Sequence, residues 1–378
     1  HPLSRRQRQM CIRDRVMIAS GRKDTGLATT LHSPIKAPDL HLFQAMAGAE
    51  LGGAETFFER LALGFHDHGL RQTLAIKPWP GRLNTLAGIA PRPCAFRPVP
   101  GFIDRMKLKR MIDASGADII LSWMNRATRL TPKTGIPHIA RLGGFYDLKY
   151  YRDCDLLVAN TRGIADYLVQ QGWPAGRVRV QVNFVPDGLD TPDPDGGNQP
   201  TGDDETVFVS LGRFHPNKGF DTLLNAFAGV PSGRLRLAGD GPEKARLMTL
   251  AEQLGIASRV EFCGWQANPQ SFIRSGDIFI CPSRHEPFGN VIMEAFACRM
   301  PVITTASDGA TENASHGDTA LIIPVDDSAA MTDAMTNLQS DPALAGKLAG
   351  KAYQAYQKGF TETAVIRGWF DLLAEVAG

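Results

Sequence analysis

The sequence predicts an α/β protein made of two doubly wound, parallel-sheet domains that face one another across a cleft. Three observations predict it. Short apolar runs alternate with amphipathic helical patterns, as parallel βαβ units require. The alternation breaks once, at the Pro-, Gly- and Asp-rich stretch PDGLDTPDPDGGNQPTGDDE, residues 186–205, and then restarts. A chain of 378 residues is also long for one hydrophobic core and comfortable for two.

The chain opens on HPLSRRQRQMCIRDR, which is basic, aperiodic and without the apolar core of a secretory signal. Residues 1–38 read as an irregular extension; about 1–15 resemble translated adapter sequence, with Met17 nearer a true start. The first domain is assigned to 39–188. Its first strand, 40–46, ends in the Gly-rich turn AGAELGGAE, and a helix follows from about Glu55, with Phe57, Phe58, Leu61, Ala62 and Phe65 on one face. Further strands are expected at 73–76, 118–123, 138–141, 156–159 and 178–182, with a helix at 162–171. Residues 189–205 are the linker.

The second domain is assigned to 206–360. Strands are expected at 206–211, 234–238, 260–263, 278–281, 302–304 and 320–323. Helical patterns fall at 220–227, 243–254, 290–298, 329–339 and 343–357. A last helix, 362–377 within the segment 361–378, carries Ile366, Trp369, Phe370, Leu373 and Val376 on one side. Each half is then Rossmann-like, and such domains bind ligands beyond the C-terminal ends of their strands.

Composition narrows the function classes. Hydrophobic residues at 43% and charged residues at 21% are ordinary for a globular protein. A formal net charge of +2 argues against a general polyanion binder, so no nucleic-acid partner is expected. None of the six cysteines forms a C-x-x-C pair, and no His or Cys cluster has metal-ligand spacing, which fits a reducing cytoplasm. No apolar run approaches the ~18 residues of a membrane span.

Three loops of the second half carry the chemistry. In LGRFHPNKGF, Arg213 and Lys218 follow a strand and precede a helix, a pairing of cations suited to a diphosphate. In LAGDGPE, Gly239 and Gly241 allow a tight turn and close approach to the backbone. In CPSRHEPFGNVIMEAF, Glu286 lies in the loop after a strand and Glu294 inside the next helix. That helix opens at Phe288, Gly289 and Asn290, whose N–H groups and dipole favour a phosphate. Glu286 is then placed to reach sugar hydroxyls, and Glu294 to accept from a ribose diol.

The spacing from Glu286 to Glu294, the RFHPNKG loop, the GDGPE turn, the upstream GGAE of Gly52, Gly53, Ala54 and Glu55, and the VNFVPDG segment together resemble the retaining, GT-B-fold glycosyltransferases of family 4. The resemblance runs from about Leu40 to the C-terminus. It implies that Arg213 and Lys218 contact the donor diphosphate, with Gly212 in the same loop and Gly53 approaching from the opposite domain. It implies that Glu286 holds the transferred sugar, with Pro287, Phe288, Gly289 and Asn290 beside it, that Glu294 binds the ribose, and that Gly264 and Trp265 meet the base. The last helix would cross back onto the first domain. No cofactor and no metal are implied; the nucleotide-diphosphate sugar is a substrate. A front-face substitution, in which the leaving phosphate takes the acceptor's proton, is the implied route.

Two departures stand out. Arg299 occupies a position where the family often has Gly, which concerns a helix C-cap. Many relatives also place a His in a first-domain loop where this chain reads IARLGGFYDLKYY. Arg141, Tyr146 and Asp147, with Asn125 and Arg126 of LSWMNRAT, are therefore the acceptor-side candidates.

Other signals are set aside. Asp153 and Asp155 form a D-x-D at a strand start, far in sequence from the Arg213 loop, and no G-x-G-x-x-G or G-x-S-x-G appears. His285 reads as a loop-shaping residue. The helix bearing Arg105, Lys107, Lys109 and Arg110 is basic and interleaved with apolar residues, a pattern compatible with an anionic membrane surface. The expected function is transfer of a hexose-type sugar from a nucleotide diphosphate to a cell-envelope glycan or glycolipid. By likeness of MAGAELGGAETFFERL and LSWMNRAT to bacterial surface-polysaccharide enzymes, the acceptor is lipopolysaccharide core. The expected place is the cytoplasm, with peripheral contact at the inner membrane. The rivals are a non-catalytic sugar-nucleotide-binding subunit and a GT-B epimerase or phosphorylase.

Overall fold

The structure, a computed structural model, describes residues 35–50, 52–96, 102–185 and 205–378. The N-terminal extension through residue 34 and nearly all of the expected linker lie outside the described residues.

The first sheet has seven parallel strands in the order β3-β2-β1-β4-β5-β6-β7. They are β1 His41–Met46, β2 Arg71–Ile76, β3 Arg92–Pro93, β4 Ile119–Trp123, β5 His138–Leu142, β6 Leu156–Ala159 and β7 Val178–Val180. The helices are α1 Gly53–Asp67, α2 Pro80–Thr85, α3 Phe102–Asp113, α4 Met124–Leu130 and α5 Arg162–Gln170. Central strand β1 is buried on both faces beyond His41, so its one buried polar side chain must be satisfied internally. Gln44 donates to Gln72 Oε1 at 2.9 Å and accepts from Trp123 Nε1 at 3.0 Å. The expected strand 178–182 stops at Val180; the Gln181 side chain instead donates to Gly368 O of the C-terminal helix at 2.9 Å.

The second sheet has six parallel strands in the order β10-β9-β8-β11-β12-β13. They are β8 Val207–Leu211, β9 Arg234–Ala238, β10 Val260–Gly264, β11 Ile278–Cys281, β12 Val302–Thr305 and β13 Leu321–Ile323. Their helices are α6 Phe220–Ala228, α7 Lys244–Gln253, α8 Pro269–Arg274, α9 Asn290–Ala297, α10 Asp308–Asn313, α11 Ser328–Ser340 and α12 Pro342–Gly359. The two strand orders are the same pattern, wound outward in both directions from a central pair. Each sheet therefore has one point where the order reverses: between β1 and β4, and between β8 and β11. Side chains leaving the C-terminal ends of those strands are the ones the fold gathers into a crevice.

The last helix, α13 Glu362–Ala377, belongs by packing to the first sheet. Thr361 caps it by accepting from Ala364 N. Its apolar side meets α1: Trp369 lies edge-on to Phe65 and Phe370 stacks on the same ring at 5.6 Å. The chain thus crosses between sheets twice, side by side, because Val185 N donates to Phe360 O at 3.1 Å and Val185 bridges Thr361. Arg299 takes φ 54° just after α9 and lays its guanidinium over Tyr353 at 4.0 Å. A glycine would be freer in that left-handed conformation, and the cation–π contact offsets part of the strain.

Candidate functional site

On the second sheet, the loops that follow β8 and β11 are built against each other. Gly219 takes φ 62°, and a Cβ there would overlap the carbonyl oxygen of Pro282. Only glycine lets the first loop turn into α6 while lying on the second. Arg284 ties the same loops together: its N–H donates to Asn217 O at 2.8 Å and its guanidinium to Asp221 at 2.9 Å. The GDGPE turn braces the Arg213 loop from below, with Gly212 N donating to Ala238 O at 3.0 Å and Phe214 N to Asp240 O at 2.9 Å.

This frame brings Lys218 and Glu286 together, 68 residues apart in sequence, as a direct ion pair. Ser283 Oγ donates to the same Glu286 oxygen at 3.3 Å. Burial pulls the Lys218 ammonium downward, and the Glu286 carboxylate outweighs it, so the lysine is held above its ordinary value and stays charged. Arg213, in the same loop as Lys218, is exposed, and no ion pair of it is seen among the described residues. Gly289 takes φ 86° and caps α9, while Phe288 points inward against Phe360. Asn313 Nδ2 donates to Phe288 O at 2.7 Å and fixes the loop. Gly264 ends β10 and accepts from Gly239 N at 2.7 Å; Trp265, next to it, is 60% exposed.

The first sheet supplies the facing wall. A cavity of about 210 Å³ lies between Gly53, Phe57, Met124 and Arg141 on one side and Glu286 and Asn290 on the other. Pro287 and Phe288 also line it. Gly53 approaches so closely that a Cβ would lie 3.0 Å from Asn290 Nδ2. Met124, at the C-terminal end of β4, holds φ 63°, a strained value for a residue with a side chain.

Of the acceptor-side candidates, Arg141 reaches this cavity. Asn125, Arg126, Tyr146 and Asp147 are not among its lining residues. Asn125 accepts from the Tyr151 hydroxyl, and Arg126 is exposed. Asp147 caps the turn at 148–150 and pairs with Lys149 at 2.6 Å, which holds its carboxyl below the usual range. Burial, then the charge of Glu55, pushes the Tyr146 phenol up. Glu294 is also placed off the cavity: it is buried in α9 and accepts from Arg60 of α1 at 2.9 Å across the cleft. Burial raises its carboxyl and Arg60 opposes that rise.

Several site residues escaped the sequence reading. Asn160, at the end of β6, lines the cavity with its Oδ1 unpartnered among the described residues. Asn183 lines it too, accepting from Arg141 at 2.7 Å and donating to Asn290 Oδ1 at 2.8 Å. Glu55, already part of the GGAE motif, turns back to accept from Ala49 N at 2.8 Å and shapes the Gly-rich loop. The only signal for Asn160 was its place directly after an apolar strand. The D-x-D sits elsewhere: Asp155 Oδ2 accepts from His138 N at 2.8 Å, at the opposite, N-terminal end of the sheet. Among the described residues no group of three or more His, Cys, Asp or Glu is placed to hold a metal. No described helix is long and apolar enough to cross a membrane.

Two Rossmann-like domains with their switch points turned to one cleft define a GT-B protein. Residues 51–188 match the model of Glycosyltransferase Family 4, and residues 197–355 that of Glycosyl transferases group 1. The chain is 35% identical to the lipopolysaccharide core biosynthesis glycosyltransferase LpsE of Rhizobium meliloti (strain 1021), over 85% of this chain and 96% of that protein. It is 32% identical to LpsD of the same organism, over 85% and 94%. Among solved structures, Anabaena HepE in complex with UDP and glucose superposes with a TM-score of 0.77 at 20% identity, covering 89% of this chain and all 100% of that one. The lipopolysaccharide outer core galactosyltransferase WaaB, apo form, gives 0.70 at 17% identity, covering 89% and 99%. These two share the fold. The chain belongs to glycosyltransferase family 4 and is a glycosyltransferase.

Proposed function

We propose that this protein transfers a hexose-type sugar from a nucleotide diphosphate to a glycan or glycolipid of the cell envelope, lipopolysaccharide core in the first instance, with retention at the anomeric carbon. The observation that carries the reading is the Lys218–Glu286 pair at the reversal point of the second sheet, directly across from the Gly53 loop. A diphosphate on the α9 N-terminus would lie beside Lys218, with Arg213 exposed to reach it. These groups stabilise the departing diphosphate electrostatically, with no metal. Glu286 faces the sugar as positive charge develops on it, and the leaving phosphate oxygen accepts the proton of the attacking hydroxyl. Glu294 would meet the ribose once Arg60 shares or releases it, and Trp265 offers a face for the base.

The relatives named for lipopolysaccharide core synthesis support the acceptor class. The basic helix α3 supports a working place at the cytoplasmic face of the inner membrane: Phe102 and Ile103 are 80% and 67% exposed at its start, ahead of Arg105, Lys107, Lys109 and Arg110. The test incubates the protein with uridine, guanosine and adenosine diphosphate sugars and a truncated lipopolysaccharide core, reading product mass and anomeric configuration. A product of inverted configuration, or no sugar transferred from any donor, would refute the reading.

A further inference from the structure

Arg141 is a buried cation with no ion-pair partner among the described residues, and burial lowers it. Its guanidinium is pulled down to about 9 and so remains charged at neutral pH. It rests between the rings of Phe57 and Trp369, at 5.5 and 5.8 Å, and its Nε has no hydrogen-bond partner among the described residues. Unpaired buried charge is destabilising, so the side chains it does engage matter. The short contact is Nη2 to Asn183 Oδ1 at 2.7 Å; the contacts of Nη1 to Leu142 O and Val158 O are long, at 3.4 and 3.5 Å.

A guanidinium donates and never accepts. Asn183 must therefore turn its Oδ1 to Arg141, which leaves its Nδ2 to face Asn290. Asn290 must answer with Oδ1, at 2.8 Å. Its own Nδ2 is then directed away, toward Gly53, where a side chain would stand 3.0 Å from it. The usual ambiguity of amide orientation is removed by Arg141, which can only donate.

We propose that Arg141 is a positioning residue that, through Asn183, sets the polarity of Asn290 so that an amide N–H, and not a carbonyl oxygen, faces the donor's phosphate oxygen beside Gly53. This rests on the donor reading above. The relay links β5, the segment after β7 that leads out of the first sheet, and the first residue of α9, so the charge of one domain orients a donor belonging to the other.

Two substitutions separate this from a bare charge effect. Arg141→Gln removes a positive charge and Asn183→Asp adds a negative one, so each lowers the net charge of the cleft by one. Arg141→Gln keeps a donor toward Asn183. Asn183→Asp accepts on both sides, so Asn290 must flip and present its oxygen to the phosphate. Calorimetric titration with uridine, guanosine and adenosine diphosphates is expected to show Asn183→Asp weaker than Arg141→Gln by roughly a further tenfold, the range of one charge-assisted hydrogen bond. Asn183→Asp also supplies Arg141 with a counterion, so its melting temperature should equal or exceed that of the wild type. Equal losses in the two variants, or none, overturn the relay while leaving the donor reading intact. A wild-type protein that binds none of the three diphosphates overturns both. Should Asn183→Asp fail to fold, Asn290→Ala at the half-buried helix start reads the end of the relay: roughly tenfold weaker binding supports it, and unchanged binding overturns it.

Discussion

Replacing Glu286 by Gln separates the two jobs of the Lys218–Glu286 pair. In the folded protein the Glu286 side chain is 13% exposed and Lys218 28% exposed, so the pair is only partly screened by water. The amide keeps a hydrogen bond to Lys218 and loses the charge. Partial exposure discounts the folding cost to about 1 kcal/mol, a modest change in denaturation midpoint. The catalytic cost is larger, because the carboxylate acts on a sugar that becomes cationic only in the transition state. Loss of one such electrostatic partner lowers kcat by about a hundredfold, equivalent to about 2.7 kcal/mol. Nucleotide-diphosphate affinity should move the other way or not at all, since Lys218 is freed for the phosphates.

The pH dependence has a sign as well. Lys218 is held above its ordinary value by Glu286, so its favourable contribution is full below the unfolded lysine value and lost as pH rises through the folded one. In Glu286→Gln burial acts unopposed, and nucleotide binding should weaken at a lower alkaline pH than in the wild type. Steady-state kinetics with product detected by mass spectrometry, together with diphosphate titration from pH 7 to about 10, measures all three effects. A kcat within threefold of wild type, or a kcat and a diphosphate affinity that fall together, refutes the division of labour.

Glu294→Gln should chiefly raise the donor KM and weaken the free diphosphate by about 1–2 kcal/mol, with kcat little changed; unaltered nucleotide affinity would remove Glu294 from the donor site. Burial pulls the His138 imidazole down to about 4, and Ser122 Oγ lies 2.8 Å from its Nε2. The unfolded chain binds its proton first, so stability should fall by about 2–3 kcal/mol as pH drops from about 6.5 to about 4; a His138→Asn variant with the same acid slope in urea titrations would contradict this. Turnover is expected to persist in EDTA, and activity lost on chelation and restored by Mg²⁺ or Mn²⁺ would require a metal site. Charge reversal at Arg105, Lys107, Lys109 and Arg110 should release the protein from anionic liposomes, as added salt should; equal sedimentation with neutral vesicles would exclude an electrostatic contact.

The loops that bring Lys218 and Glu286 together were legible because their determinants are local. A strand, a cation-bearing loop and a helix follow one another within LGRFHPNKGF, and the same order recurs around Glu286, so periodicity and loop chemistry read the pieces directly. Lys218 meets Glu286 because β8 and β11 are neighbours, which a doubly wound order makes predictable. The acceptor side obeyed no such rule. Asp147 and Tyr146 followed a strand as site residues do, yet Asp147 is spent on Lys149. Arg141 was one polar residue in an apolar strand; its role depends on Asn183, 42 residues on, and on Asn290, a further 107. Arg60 and Glu294 meet across 234 residues. Chain periodicity records which face of an element is buried; which groups then meet depends on sheet twist, on the double crossing at Val185 and Phe360, and on α13 returning to α1. Those are properties of the packed whole, and they decided that Arg141, Asn183 and Asn290 form one hydrogen-bonded line.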